Sequence, residues 1–358
     1  SGRGAAARAW PACSSASAVT HRTCARANRS RHLPGALVGS ALWLLSLNAP
    51  ASVAIELAVD EIRGDDWVAQ GLDVSLTESA PGDLSIVIRV AHLALPADHG
   101  DLDDLRLECR VLRRDDQAWE CPDGRLRLRD SPLQGQDATW HGSYGPGGNL
   151  RLSIPQLVVG RGAVALEFTS QAGTWSARIA PYRVALPRLA QLSPFVQPPR
   201  GWQLGGRASG VLALAGRAAA LSGLDGELVL DQLDYASPDG AQAAEGLTLK
   251  LDLAARAKGA AWVFDGRLGW PRGALYSEPL FLDATQGPVD ARAAGSWSPA
   301  GRRLTLDAWS VELADTAYVS GTGSFASGAL HDLTVAAHSE DAGSLYRRLL
   351  QPFLIGTA

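Results

Sequence analysis

Cys109 and Cys121 are the residues of this sequence best placed for covalent chemistry. A hairpin closed on the three-residue loop Arg114-Asp115-Asp116 pairs Arg113 with Gln117, Val111 with Trp119 and Cys109 with Cys121. Directly opposed cysteines of an antiparallel ladder lie within disulfide range. The alternative is a pair of small buried thiols; in an exported chain the disulfide is the expected form. Asp98, Asp101, Asp103 and Asp104 form the one acidic cluster with the oxygen donors a hard cation needs. Their spacing fits no standard calcium loop, so an acidic inter-strand turn is expected there, as at Asp65-Asp66 and Asp115-Asp116. His92, His99, His141, His331 and His338 are scattered singly, the usual pattern of structural or solvated histidines.

Enzymatic signatures are missing. No Ser has Gly two places before and after it, as a hydrolase elbow requires. Neither lysine, Lys250 or Lys258, follows a Gly as in a phosphate-binding loop, and H-E-x-x-H and C-x-x-C are absent. Nothing in the sequence calls for a metal or cofactor.

What must position these residues is a long series of strands. Glu245 to Trp270 sets the pattern: Leu247, Leu249, Leu251 and Leu253 fall on one face, and Thr248, Lys250 and Asp252 on the other. A turn at Lys258-Gly259 leads into the returning strand. Comparable segments are expected at 55–62, 67–77, 83–95, 103–113, 117–129, 148–159, 163–170 and 173–186. They resume at 204–216, 225–235, 245–256, 261–270, 274–284, 289–298, 303–314, 318–326 and 330–337. With 38 Gly and 20 Pro to supply turns, the pattern predicts an all-β fold. Specifically, it predicts a long antiparallel meander forming a curved, groove-like sheet with a few short helices. The apolar phase changes after Val90, and again between Leu306 and Trp309, so bulges are expected near Ala91-His92 and in the latter strand. Helical spacing interrupts the strands at 187–196 and 344–354, which share Leu-x-Pro-Phe-aliphatic. This repeat divides the chain into 1–54, 55–198 and 199–358, the last truncated.

The charge distribution excludes nucleic acid as a partner. The chain has 33 Lys plus Arg and 37 Asp plus Glu; residues 1–54 hold six Arg and no acid, which leaves 27 basic residues against 37 acidic and a net charge of −10. Phosphate backbones need clustered cations, and the later arginines mostly alternate with apolar residues, as on a solvated sheet face. Arg22, Arg26, Arg29 and Arg31 precede the apolar run 36–47, and Ser52-Val53-Ala54 supplies a small-residue end. These features predict a signal peptide cut after Ala54; the alternative is an uncleaved inner-membrane anchor.

The export segment, the one-sided amphipathic strands from Ile55 to Ala337 and the short helices at Pro187 and Ser344 together resemble the AsmA-like superfamily, in particular its TamB and YdbH branch. That resemblance implies a periplasmic, non-enzymatic conduit in a Gram-negative envelope, carrying phospholipid acyl chains between the inner and outer membranes. It implies membrane or membrane-protein partners and no cofactor. The residues expected to line the groove are Leu84, Ile86, Ile88 and Val90; Leu152, Ile154, Val164, Leu166 and Phe168; and Leu247, Leu249, Leu251 and Leu253. A structural or assembly scaffold of the envelope is the second expectation, and a glycan-directed enzyme with paired carboxylates the third.

Overall fold

A computed structural model of the chain describes residues 54–347 apart from 65–66, 81–82, 95–100, 116, 131–135, 193–198, 200, 219, 279, 328 and 340. The candidate signal segment, Asp65, Asp66, Asp98, His99, Asp116 and the Pro-Phe ends of both helical stretches lie outside the described residues.

The first part of the sheet comprises β1 (Ala54–Arg63), β2 (Val68–Ala80), β3 (Asp83–Ala94), β4 (Leu102–Asp115), β5 (Ala118–Asp130), β6 (Gln136–Gly145), β7 (Asn149–Val159), β8 (Gly162–Gln171), β9 (Thr174–Tyr182) and β10 (Val184–Ala185). A short helix, α1 (Leu186–Leu192), follows. The strands resume as β11 (Gln203–Arg217), β12 (Ala220–Ala236), β13 (Gln242–Lys258), β14 (Ala261–Ser277) and β15 (Leu280–Asp283). They continue with β16 (Val289–Ser298), β17 (Arg303–Leu313), β18 (Ala317–Ala326) and β19 (Ala329–His338), before the one-turn α2 (Ala342–Leu345).

All nineteen strands of the described residues belong to one open, curved antiparallel sheet. Each strand pairs with its sequence neighbour except at two interruptions. β9 and β10 both pair with β11, their break falling at Arg183, whose φ is +50°. β15 and β16 likewise both pair with β14. The β9–β11 ladder carries the sheet straight across the boundary between the two expected repeats, from Leu212 opposite Ile179 to Arg217 opposite Thr174.

Several strand limits differ from those expected. β6 occupies a stretch for which no strand was predicted, because its apolar-face positions, Ala138, Trp140, Gly142 and Tyr144, alternate bulk with almost none. The stretches 261–270 and 274–284 are one long strand, β14, plus the short β15, since a bulge absorbs Pro271-Arg272-Gly273 without ending the strand. Gly273, at φ +93°, makes this possible: a Cβ there would lie 2.5 Å from the Gly246 carbonyl oxygen. The bulge expected between Leu306 and Trp309 is present. Near Ala91-His92 the register does not shift, but the ladder is interrupted: Ala91 pairs on neither side, and the residues flanking it on β2 and β4, Gly71 and Asp104, have φ of +62° and +50°. Beyond this interruption Glu61, Gln70, His92 and Asp103 oppose one another, and beside them Ile62, Ala69, Leu93 and Leu102 do the same, with Ala69 buried.

Cys109 and Cys121 are joined as a disulfide with Cα atoms 5.9 Å apart, but not by the expected pairing. The ladder closes with Asp115 opposite Ala118 and places Cys109 opposite Gly124. β5 carries an irregularity between Cys121 and Gly124, where Pro122 can donate no hydrogen bond, and β4 carries another where Leu84 and Ile86 meet it. These offsets bring the sulfurs together from positions that regular pairing would separate. The protein, denatured without reductant, is expected to show neither of these thiols in a free-thiol assay, and Cys121→Ser should lower stability by about 2 to 3 kcal/mol in chemical unfolding.

Candidate functional site

Residues directly opposed in an antiparallel ladder share a face, so the register traces side-chain rows across the sheet. One row runs Leu57, Val74, Ile88, Leu107, Leu126, Ala138 from β1 to β6. Another runs Ile154, Leu166, Ile179, Leu212 from β7 to β11. A third runs Leu228, Leu251, Leu268, Ala291, Val311, Val319, Ala337 from β12 to β19. The register joins them into a single apolar face spanning the sheet, with small residues such as Gly226 and Gly142 at some of its positions.

All thirteen residues expected to line a groove stand on this face. Ile86 opposes Leu76, Leu152 opposes Phe168, Ile154 opposes Leu166, and Val164 opposes Leu157 and Pro181. Leu84 opposes Leu112; Leu249, Leu251 and Leu253 oppose Leu230, Leu228 and Gly226. Of these thirteen, only Val90 and Leu247 are buried, and the others are half-buried. Among the described residues the large side chains less than 2% exposed are Val159, Val184 and Cys109 alone. Two packed layers would bury many more leucines and aromatics than this.

The two margins of the face differ. At the margin bearing α1, Leu186, Leu233, Leu247, Trp270, Val289 and Leu313 form a buried cluster, with Leu189 of the helix packed against it. Burial of each such side chain contributes roughly 1.5 to 3 kcal/mol, so this cluster anchors the helix and closes that side. Nearer β1 the same margin ends in a polar row, Glu61, Gln70, His92 and Asp103. The opposite margin, at the hairpin tips, is aromatic. Trp119, Tyr144, Leu150, Ser170 and Trp175 oppose one another in sequence, as do Trp262, Trp297, Leu304 and Phe325. Tyr144 is 56% exposed and Trp297 37%, while the Arg114 guanidinium sits 5.5 Å from the Trp119 ring centroid.

Tryptophan does a second job that the sequence reading missed. Trp140 directly opposes Gly124, Trp175 opposes Gly216, and Trp309 opposes Gly321. In each pair the indole lies flat over the neighbouring strand's glycine, where a Cβ would come within 2.2 Å, 2.2 Å and 2.9 Å of the ring respectively. The rings thus cover exposed backbone while keeping the face low. A cross-strand Trp–Gly pair is visible only once the register is known.

The reverse face is charged. Asp73, Arg89, Arg106, Arg127 and Asp137 form one row, and Glu227, Asp252, Arg267 and Arg292 another. A cavity of about 520 Å³ lies on this face, walled by Arg178, Glu227, Asp252 and Arg267 among others. Among the described residues no three His, Cys, Asp or Glu side chains are placed to hold a metal ion, and Asp101, Asp103 and Asp104 do not converge on one. Asp103 instead hydrogen-bonds His92 Nδ1 at 2.6 Å, with Asp101 3.8 Å from Nε2. No helix of the described residues is long and apolar enough to cross a membrane. No protein-family model, curated protein or solved structure matches the chain.

The Asp103 hydrogen bond, with a smaller Coulombic contribution from both aspartates, outweighs desolvation and raises the His92 pKa above its ordinary value. A raised folded-state pKa gives stability that is fully present below the unfolded value of about 6.5 and is lost as pH climbs through the folded value. An NMR titration should therefore place the His92 midpoint above that of a free histidine, and Asp103→Asn should bring it down.

Proposed function

We propose that the chain is a non-enzymatic lipid conduit, holding phospholipid acyl chains against its apolar face and passing them between the inner and outer membranes of a Gram-negative envelope. The observation that carries this reading is the long apolar face, which among the described residues α1 and its cluster cover at one margin only. Exposed apolar surface on that scale costs free energy in water and marks a binding surface. Because β10 extends β9 and β15 leads into β16, the nineteen strands make seventeen rungs. At an interstrand spacing of about 4.8 Å the face runs for roughly 75 Å along the sheet, well beyond the roughly 30 Å hydrocarbon thickness of a bilayer. Several acyl chains could lie along it in file. The aromatic margin suits the same ligand, since Trp and Tyr rings favour the junction between hydrocarbon and polar groups.

An envelope scaffold is the second reading, favoured by the two sheet edges. Among the described residues β1 and β19 each pair on one side only and expose Ile55, Leu57, Leu330, Leu333 and Val335, a template for another strand.

Leu251 and Leu247 separate an open face from a filled core. Leu247, 4% exposed, belongs to the buried cluster, and Leu247→Asp should destabilise the protein by several kcal/mol in chemical unfolding. Leu251 lies mid-face between Leu228 and Leu268, where a carboxylate can stay hydrated. Leu251→Asp is expected to unfold near the wild-type midpoint while losing most of the phospholipid found with the wild-type protein by mass spectrometry. Wild-type protein with no phospholipid, or a Leu251→Asp variant retaining its full load, would sink the conduit.

A further inference from the structure

The charged face carries an arrangement that neither the fold nor lipid transport requires. Arg89, Arg106 and Arg127 stand directly opposite one another on β3, β4 and β5. Like charges so placed repel across about 5 Å, and three in succession is the longest like-charged run in the two rows of this face described above. Nearby acids engage two of these guanidiniums: Asp137, next in the row on β6, lies 2.8 Å from Arg127, and Glu108 accepts from Arg106 at 3.3 Å along its own strand. Arg89 opposes Asp73 across the ladder, yet no ion pair joins them among the described residues. The Nε of Arg106 is buried without a partner among the described residues. These three side chains and Asp104 line a hollow of about 260 Å³.

We propose that Arg89, Arg106 and Arg127 form a site for a phosphate-type anion. Planar guanidiniums offer paired N–H donors that match the oxygens of a phosphate, and a bound dianion would turn the mutual repulsion of the row into attraction. Asp104 in the wall disfavours long polyanions and fits a compact group, either a free phosphate compound or a phospholipid headgroup. The site faces away from the apolar rows, so it is independent of acyl chains bound there; a headgroup would reach it only from a bilayer meeting the charged face.

The test uses the full chain and its Arg106→Gln variant, with Arg89→Gln as a second variant because Arg89 is exposed and among the described residues makes no ion pair. Sodium pyrophosphate is titrated by calorimetry and thermal melting against sodium chloride at matched ionic strength. Phosphatidic acid vesicles are compared with phosphatidylcholine vesicles by flotation. Pyrophosphate should bind and raise the melting temperature beyond the chloride control, with affinity about tenfold or more weaker in either variant, the loss expected for one charge-assisted hydrogen bond. Without anion the variants should melt no lower than the wild type, because a repulsive contact has gone. Binding only to phosphatidic acid vesicles, lost in the variants, would assign the site to a headgroup. Equal effects of pyrophosphate and chloride, together with no preference for phosphatidic acid or with unchanged binding by the variants, would overturn it.

Discussion

Direct opposition of residues across every antiparallel ladder is the constraint on which the rest of this structure depends. Side chains alternate with period two, so a single-residue slip anywhere would send the apolar rows beyond it to the other side. The register holds from Leu57 on β1 to Ala337 on β19, and where it shifts, as between Leu306 and Trp309, a bulge restores the apolar residues to the same face. Bulges are thus the means by which so long a sheet keeps one chemistry per side. At β3 the register does not shift, and the ladder is instead interrupted at Ala91, between left-handed Gly71 and Asp104.

A sheet of this kind draws little stability from a packed interior. Its backbone groups satisfy one another along the ladders, while the buried side chains gather mainly in two places, under α1 and around Leu126, Leu128 and Ala138. The remaining reinforcement is local. The Cys109–Cys121 disulfide ties two irregular strands, the flat indoles of Trp140, Trp175 and Trp309 shield glycine backbone, and the Arg256 guanidinium bridges both carboxylate oxygens of Asp225. Such a distribution leaves a broad apolar surface available, which a filled core would not.

The two faces consequently offer two independent chemistries. The apolar side, bounded by aromatic hairpin tips and by the α1 cluster, suits hydrocarbon. The charged side, with its opposed arginines and acidic rows, suits small polar groups. The thickness of one backbone layer separates them, and a ligand held on one side does not contact side chains on the other.

Much of this was legible in the sequence because period-two patterning is a local property. Leu247, Leu249, Leu251 and Leu253 announce their face without reference to any partner, and the all-β class and the thirteen apolar-face residues follow from the same reading. β6 was not legible, since Gly142 and Ala138 carry almost no hydrophobic signal and acquire their meaning from Cys121 and Leu126 opposite them. The disulfide partners could be named but not their pairing, because two strand irregularities set it, and a loop-centred register assumes regular strands. The Trp–Gly pairs, the opposed arginines and the aromatic margin likewise join residues far apart in the chain. The sequence by itself determined which side of each strand is apolar; only the tertiary structure decided which strands stand beside which and in what register, because hydrogen-bonded opposition between distant segments is a property of the assembled ladder and of no single segment.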